Sequence, residues 1–307
     1  MKHGGRLILY LGALAFFLGG CFAMESSMAS KFARLDGKIV SFDDPLFGVK
    51  VQKTGLWKPY RFIKTIGFAL FGTTDHDPAR IPVVFVHGYV ASPESFRTLA
   101  EALDGKRFEP TFAYYATGQK LDLAAKGLRC ALCEFARKKN ADRVIIIAHS
   151  MGGLVARAFL GDKAGDPVRP SVPVFISLST PYGGTELLEK VKVVQGEPDV
   201  WKDLKIGSAF LEHLFDKPLP GETAFHLMYG TKGDSDRLPG PDDGVVTVRS
   251  ATRKEAMAEA ASVFACPTCT HRGIKQDKEP LEKIMGILDE AYDRIVAAPG
   301  AAQPSGG

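Results

Sequence analysis

Ser150 stands in Ala148-His149-Ser150-Met151-Gly152-Gly153, directly after Arg143-Val144-Ile145-Ile146-Ile147 and directly before Leu154-Val155-Ala156-Arg157-Ala158-Phe159-Leu160. A β-branched run, a serine among small residues and a helix-forming run read as strand, sharp turn, helix. That geometry lifts the hydroxyl clear of a sheet and puts a helix N-terminus beneath it. The chemistry it suggests is nucleophilic catalysis. A serine hydroxyl needs a base to take its proton and a third group to orient that base. The bland alternative is a serine N-cap, and A-x-S-x-G in place of G-x-S-x-G does not decide between the two. The partners do.

In a strand–elbow–helix architecture the triad follows the order Ser, Asp/Glu, His. There are 7 histidines. His3 falls in the leader, and His76 and His87 precede the serine. His149 adjoins Ser150 with its side chain expected to point away. His213 lies in an insertion and His226 inside a strand. His271 alone follows the last predicted strand, in the loop Thr270-His271-Arg272-Gly273, and elimination makes it the base. The loop after Phe225–Tyr229 offers Asp234, Asp236, Asp242 and Asp243. Pro241-Asp242-Asp243-Gly244-Val245-Val246 sets Asp243 at a turn entering an apolar run, where a carboxylate can accept the imidazole N–H. Asp243 is preferred, with Asp234 and Asp242 behind it. The oxyanion needs two backbone donors: the Met151 N–H at the helix N-terminus, and the Tyr89 N–H in His87-Gly88-Tyr89 after the first central strand. His87 then has a structural role beneath that loop.

The elements that must position these groups are legible from Ile81 onward. Strands are predicted at 82–86, 112–115, 144–148, 172–178, 225–229 and 262–265. Helices are predicted at 95–103, 121–139, 154–160 and 281–296. Uninterrupted Val/Ile runs alternating with amphipathic segments imply an α/β fold, a mostly parallel sheet covered on both faces. Before it, residues 21–79 read as a lead-in with short strands at Lys38-Ile39-Val40 and Val49-Lys50-Val51. An aromatic stretch (Trp57, Tyr60, Phe62, Phe68, Phe71) is expected to pack on the sheet. The insertion at about 185–223 is rich in apolar residues, among them Val191, Val193, Trp201, Leu204, Phe210 and Phe215. It is either a short helical lid over an acyl-binding cleft or a cap on the sheet edge. The α/β domain is set at 80–298, and the tail 299–307, small and polar, is expected to be disordered.

The 307 residues carry 39 basic and 35 acidic side chains, a formal charge of +4, with 45% hydrophobic residues. That suits one large globular domain, and no Lys/Arg block suggests nucleic acid as a partner. Residues 1–20 read as an export signal: Lys2 and Arg6, then an apolar Leu7 to Leu18, shorter than the ~20 residues a spanning helix needs. Leu18-Gly19-Gly20-Cys21 resembles the bacterial lipobox, which implies a lipid anchor at Cys21. With Phe22-Ala23-Met24 following, it points to outer-membrane retention if the source is Gram-negative. Four cysteines remain in two CxxC pairs, Cys130/Cys133 and Cys266/Cys269. In an oxidising compartment disulfides are favoured over zinc or thiol redox chemistry. The pairing is open.

With these residues in place, the chain resembles the α/β-hydrolase superfamily, and within it bacterial lipases and esterases. The resemblance runs from Pro82 to His271 through Val86-His87-Gly88-Tyr89, Ala148 to Gly153, Ser179-Thr180-Pro181-Tyr182-Gly183-Gly184, Gly207-Ser208-Ala209-Phe210-Leu211, Asp243-Gly244-Val245-Val246 and His271. It implies Ser150 as nucleophile, Asp243 as acid, His271 as base, and Tyr89 and Met151 as oxyanion donors. It implies an ester or lipid substrate and neither metal nor organic cofactor. The Cys266/Cys269 pair beside the base loop is not part of that pattern.

Overall fold

The structure, a computed structural model, describes residues 38–162, 169–189, 191, 196–233, 236 and 238–297. The leader, Cys21, Asp234 and the 299–307 tail lie outside them. Seven strands form one sheet: β1 (Ala69–Gly72), β2 (Ile81–Val86), β3 (Phe108–Tyr114), β4 (Ile145–His149), β5 (Val174–Leu178), β6 (Ala224–Gly230) and β7 (Ser262–Cys266). Their spatial order is β1-β3-β2-β4-β5-β6-β7. β1 runs antiparallel to β3, and every other neighbouring pair is parallel.

The ten described α-helices are α1 (Val49–Trp57), α2 (Pro59–Thr65), α3 (Arg97–Glu101), α4 (Leu121–Lys139), α5 (Met151–Gly161), α6 (Val200–Leu204), α7 (Ala209–His213), α8 (Val248–Ala251), α9 (Lys254–Glu259) and α10 (Lys278–Ala297). Alternate strand residues serve opposite layers, as a pleated sheet requires. Val84, Val86, Ile146 and Phe225 meet α4 and α5 on one face. Val83, Phe85, Ile147 and Ile176 meet α3 and α10 on the other. Both faces are therefore dry, and the strands need no polar residue between their apolar ones. This is the α/β-hydrolase architecture, a mostly parallel sheet with helices on both faces.

Two expectations for the lead-in fail. Val49-Lys50-Val51 is not a strand but the first turn of α1. The 3-10 turn Pro45–Phe47, capped by the Asp44 side chain, delivers the chain in helical geometry. Val49 stays exposed, and α1 is held instead by its other end, where Gly55 and Leu56 are buried. Burial overrides the β-propensity of two valines. Second, the sheet starts before residue 80. Phe71 belongs to the edge strand β1, and Ile39 bridges Gly72. Of the aromatic stretch, Phe62 and Phe71 are buried, while Trp57 and Tyr60 face solvent.

In the insertion, Val200, Leu204, Leu211 and Leu214 are buried in the core layer beside α4 and α5. Trp201 is its one described link to the loop after β2: the indole Nε1–H donates to the Tyr89 hydroxyl at 2.7 Å.

Candidate active site

β4 ends at His149 and α5 begins at Met151, so Ser150 alone makes the turn between them. Its backbone sits at φ 56°, ψ −132°, a region that costs a non-glycine residue of order 1–3 kcal/mol. Tight packing holds it there. A Cβ at Gly88 would lie 2.8 Å from the Ser150 Cβ, and one at Gly152 would lie 2.3 Å from the Val86 carbonyl oxygen. Only glycine lets the loop after β2 and the start of α5 close on the serine from both sides. Among the described residues, neither the Tyr89 nor the Met151 N–H donates to a backbone carbonyl, so both are uncommitted beside the serine.

Asp243 and His271 come from loops after β6 and β7, and they meet. The His271 Nδ1–H donates to Asp243 Oδ2 at 2.8 Å. The other carboxylate oxygen accepts the Val245 and Val246 N–H groups at 3.0 and 2.8 Å, and the Ser179 hydroxyl also donates to the carboxylate. Burial pushes the Asp243 carboxyl up, but the bond from His271, that imidazole's charge, the Val246 N–H and the Ser179 hydroxyl outweigh it. The group stays below its ordinary value. Asp242 turns elsewhere: its side chain accepts the Gly244 N–H and closes its own turn. Asp236 is exposed.

His271 is fixed at its backbone too. The His271 N–H donates to the Asp243 carbonyl at 2.7 Å. His149 Nε2–H donates to the His271 carbonyl at 2.7 Å, and the two rings lie 4.6 Å apart. His149, expected only to point its side chain away from that of Ser150, therefore holds the loop that carries His271. It lines the same cavity as Ser150 and clamps the base loop. Burial, then the charges of Lys275 and His271, push its imidazole well below the ordinary histidine value, so it is a neutral donor. His87 lies beneath the loop: its Nδ1–H donates to the Gly88 carbonyl, its ring stacks on Tyr115 at 4.5 Å, and burial pulls it down to about 4.

Ser150, His271, Tyr89 and His149 share a cavity of about 600 Å³ that also takes in Gln52 from α1, Ser95, Val245 and Lys275. Among the described residues, none that lines it comes from the 185–223 insertion. Ser179, His149 and Lys275 were not anticipated as site residues. Each acts through contacts between segments distant along the chain, and no local pattern announces such contacts. Cys266 and Cys269, flanking the base loop, form a disulfide; Cys130 and Cys133 lie one turn apart on α4, the first exposed and the second buried.

Solved structures with the same fold include the lipase BlEst2 of Bacillus licheniformis in its mature form, 19% identical, covering 72% of this chain and 97% of that one, TM-score 0.55. The lin2722 gene product of Listeria innocua is 15% identical over 69% of this chain and 94% of its own, TM-score 0.54. The metagenomic carboxyl esterase MGS0156 is 13% identical over 71% and 77%, TM-score 0.51. No curated protein gives a significant match. A profile of the Alpha/beta hydrolase family matches residues 83–305, most of the chain and every candidate site residue except Cys21: this protein belongs to that family.

Proposed function

We propose that this protein is a serine hydrolase that cleaves carboxylic esters, of lipids or other acyl compounds, with Ser150 as nucleophile, His271 as base and Asp243 as orienting acid. One observation carries the reading: the 2.8 Å bond from His271 Nδ1–H to Asp243, in a cavity shared with a serine on a strained elbow. With Nδ1 committed to the carboxylate, Nε2 is the free acceptor for the Ser150 proton. Ser150 Oγ attacks the ester carbonyl, and the Tyr89 and Met151 N–H groups bind the oxyanion, each worth ~10²–10³ in turnover. His271 returns its proton to the leaving alcohol. Water, deprotonated by the same imidazole, then releases the acyl group, so no cofactor enters the cycle. The leader and Cys21 support an exported enzyme tethered by a lipid, in the outer membrane of a Gram-negative source.

The test is Ser150→Ala. Hydrolysis of p-nitrophenyl esters and labelling by a fluorophosphonate should both disappear, with the far-ultraviolet circular dichroism unchanged. Full activity in that variant would remove the mechanism.

A further inference from the structure

The wall of the Ser150 cavity carries a charge the triad does not use. Lys275 closes the 3-10 turn Gly273–Lys275, four residues after the base, and is only 4% exposed. An ammonium has three N–H donors. One reaches the Ser95 carbonyl at 3.1 Å, and the Phe96 ring lies 5.3 Å from the nitrogen. Among the described residues it has no ion-pair partner. A buried cation without a carboxylate is costly.

The surroundings do not compensate. Ser95 lines the cavity as well, and its hydroxyl oxygen is buried with no hydrogen-bond partner. Of the other charged groups on the wall, Arg97 is committed to Asp43 at 2.6 Å, while Arg272 and Glu94 are exposed at the rim. Two uncommitted cations therefore face one acid. Burial, then the charge of Arg272, lower the Lys275 ammonium to about 8 against the pull of Glu94, so at neutral pH it remains charged. A buried ammonium and a buried hydroxyl, both with donors to spare and both carried by residues that line the cavity holding the nucleophile, describe an oxyanion receptor.

We propose that Lys275, with the Ser95 hydroxyl beside it, forms a subsite for an anionic group, carboxylate or phosphate, carried by the ester that Ser150 attacks. This rests on the serine hydrolase reading and narrows its substrates. The test compares four esters on the full-length protein at pH 7. p-Nitrophenyl butyrate is set against mono-p-nitrophenyl glutarate, which puts a carboxylate on the acyl side. 1-Butyrylglycerol is set against 1-butyrylglycerol 3-phosphate, which puts a phosphate on the alcohol side. In at least one pair the anionic ester should be preferred by 10- to 100-fold in kcat/KM, mostly through KM, and the preferred pair tells which source of anion the subsite serves. Lys275→Met should bring that ratio within about threefold of unity, and Lys275→Arg should restore most of it. Free glutarate or glycerol phosphate should compete with the neutral esters in the unsubstituted protein, a measurement that needs no variant to fold. Fluorophosphonate labelling of Ser150 separates the two readings. A labelled enzyme with no anionic preference and no such competition overturns the subsite alone, as does a preference that survives in Lys275→Met. Absence of labelling overturns the hydrolase reading itself.

Discussion

Two buried cations, Arg157 and Lys275, sit under opposite faces of the sheet and are treated in opposite ways. Arg157, wholly buried on α5, grips Glu259 with a planar fork, Nε at 2.7 Å and Nη2 at 2.5 Å, and Nη2 also donates to the Lys217 carbonyl. The Phe215 ring covers the guanidinium at 4.9 Å. This is how a protein keeps a charge in its interior for structure: it brings a carboxylate with it. Lys275 is nearly as buried and has only a carbonyl. What separates the two is the cavity. Arg157 faces packed side chains, whereas Lys275 faces the space beside Ser150. Arg157 Nη1 is also without a partner, but its charge is matched by Glu259; at Lys275 the proposal assigns the matching charge to a ligand.

The largest expected effect concerns the buried anion of the same cavity. Asp243, unlike Lys275, has partners on both carboxylate oxygens, and the proposed mechanism has it hold one imidazole tautomer. Asp243→Asn keeps the shape but offers an N–H where His271 needs an acceptor, so kcat should fall about 10⁴-fold with little change in KM, read from steady-state ester hydrolysis. Loss of less than tenfold would mean the carboxylate is structural, like Glu259. Next comes Arg157→Leu, which strands Glu259. The carboxylate side chain is 20% exposed, so the loss should fall at the lower end for a broken buried pair, about 3 kcal/mol, seen as a melting point lower by roughly 5–10 °C. Turnover per folded molecule should be unaltered. A drop in kcat at constant stability would connect the two regions and spoil the contrast.

These contrasts also explain what could be read from the chain alone. Ser150, Asp243 and His271 are legible as candidates because the first sits on the turn that ends an apolar strand and the other two lie in loops that follow later strands, in an order the architecture dictates. The β2 to β5 strands are legible because runs such as Val83–Val86 or Ile145–Ile147 have nowhere to go but between two layers. The preference for Asp243 over Asp242 gains its physical reason from the turn that the Asp242 side chain closes on the Gly244 N–H. The rest depended on contacts between segments distant along the chain. The clamp of His149 on the His271 carbonyl joins residues 122 apart in sequence, and the Lys275–Ser95 bond joins residues 180 apart. Edge strand β1 leaves no mark in the sequence, because Ala69-Leu70-Phe71-Gly72 is too short to show a period; it is a strand only because β3 offers it an open edge. α1 departs from the strand its valines suggest because its local propensity and its tertiary anchor at Leu56 disagree.

The staple beside the base loop should matter less than the two changes above. Cys266 and Cys269 close a loop of only a few residues, so their removal in Cys266→Ser/Cys269→Ser should cost about 2 kcal/mol or less. The same turn keeps its backbone bonds, with Thr231 N–H on the Cys266 carbonyl and Lys232 N–H on the Cys269 carbonyl. The kcat of the double variant, and of the native protein under reductant, should stay within tenfold. A larger loss, reversed by reoxidation, would make the disulfide a control on the position of His271.

The smallest effect is the one that separates the two cations most sharply, because its sign is reversed. Where Arg157→Leu destabilises, Lys275→Met should stabilise, since methionine fills the volume without a charge to bury; about 1–2 kcal/mol is expected at pH 7. The pH dependence follows from the same cause. Burial lowers the ammonium from 10.5 to about 8 in the folded protein, with Arg272 reinforcing and Glu94 opposing. Below pH 8 both the folded and unfolded chains hold the proton, and the native protein bears the full cost of the buried charge. Between pH 8 and 10.5 the unfolded chain binds more protons than the folded one, so native stability rises relative to the variant. The advantage of Lys275→Met should therefore shrink across that window, measured by thermal or urea unfolding at pH 7, 8, 9 and 10. A variant less stable than the native protein at pH 7, or a difference that does not move with pH, would show that Lys275 is a structural cation with its needs already met inside the fold. The expected result leaves a residue that weakens the fold and sharpens the choice of substrate, which is the signature of a group kept for a ligand.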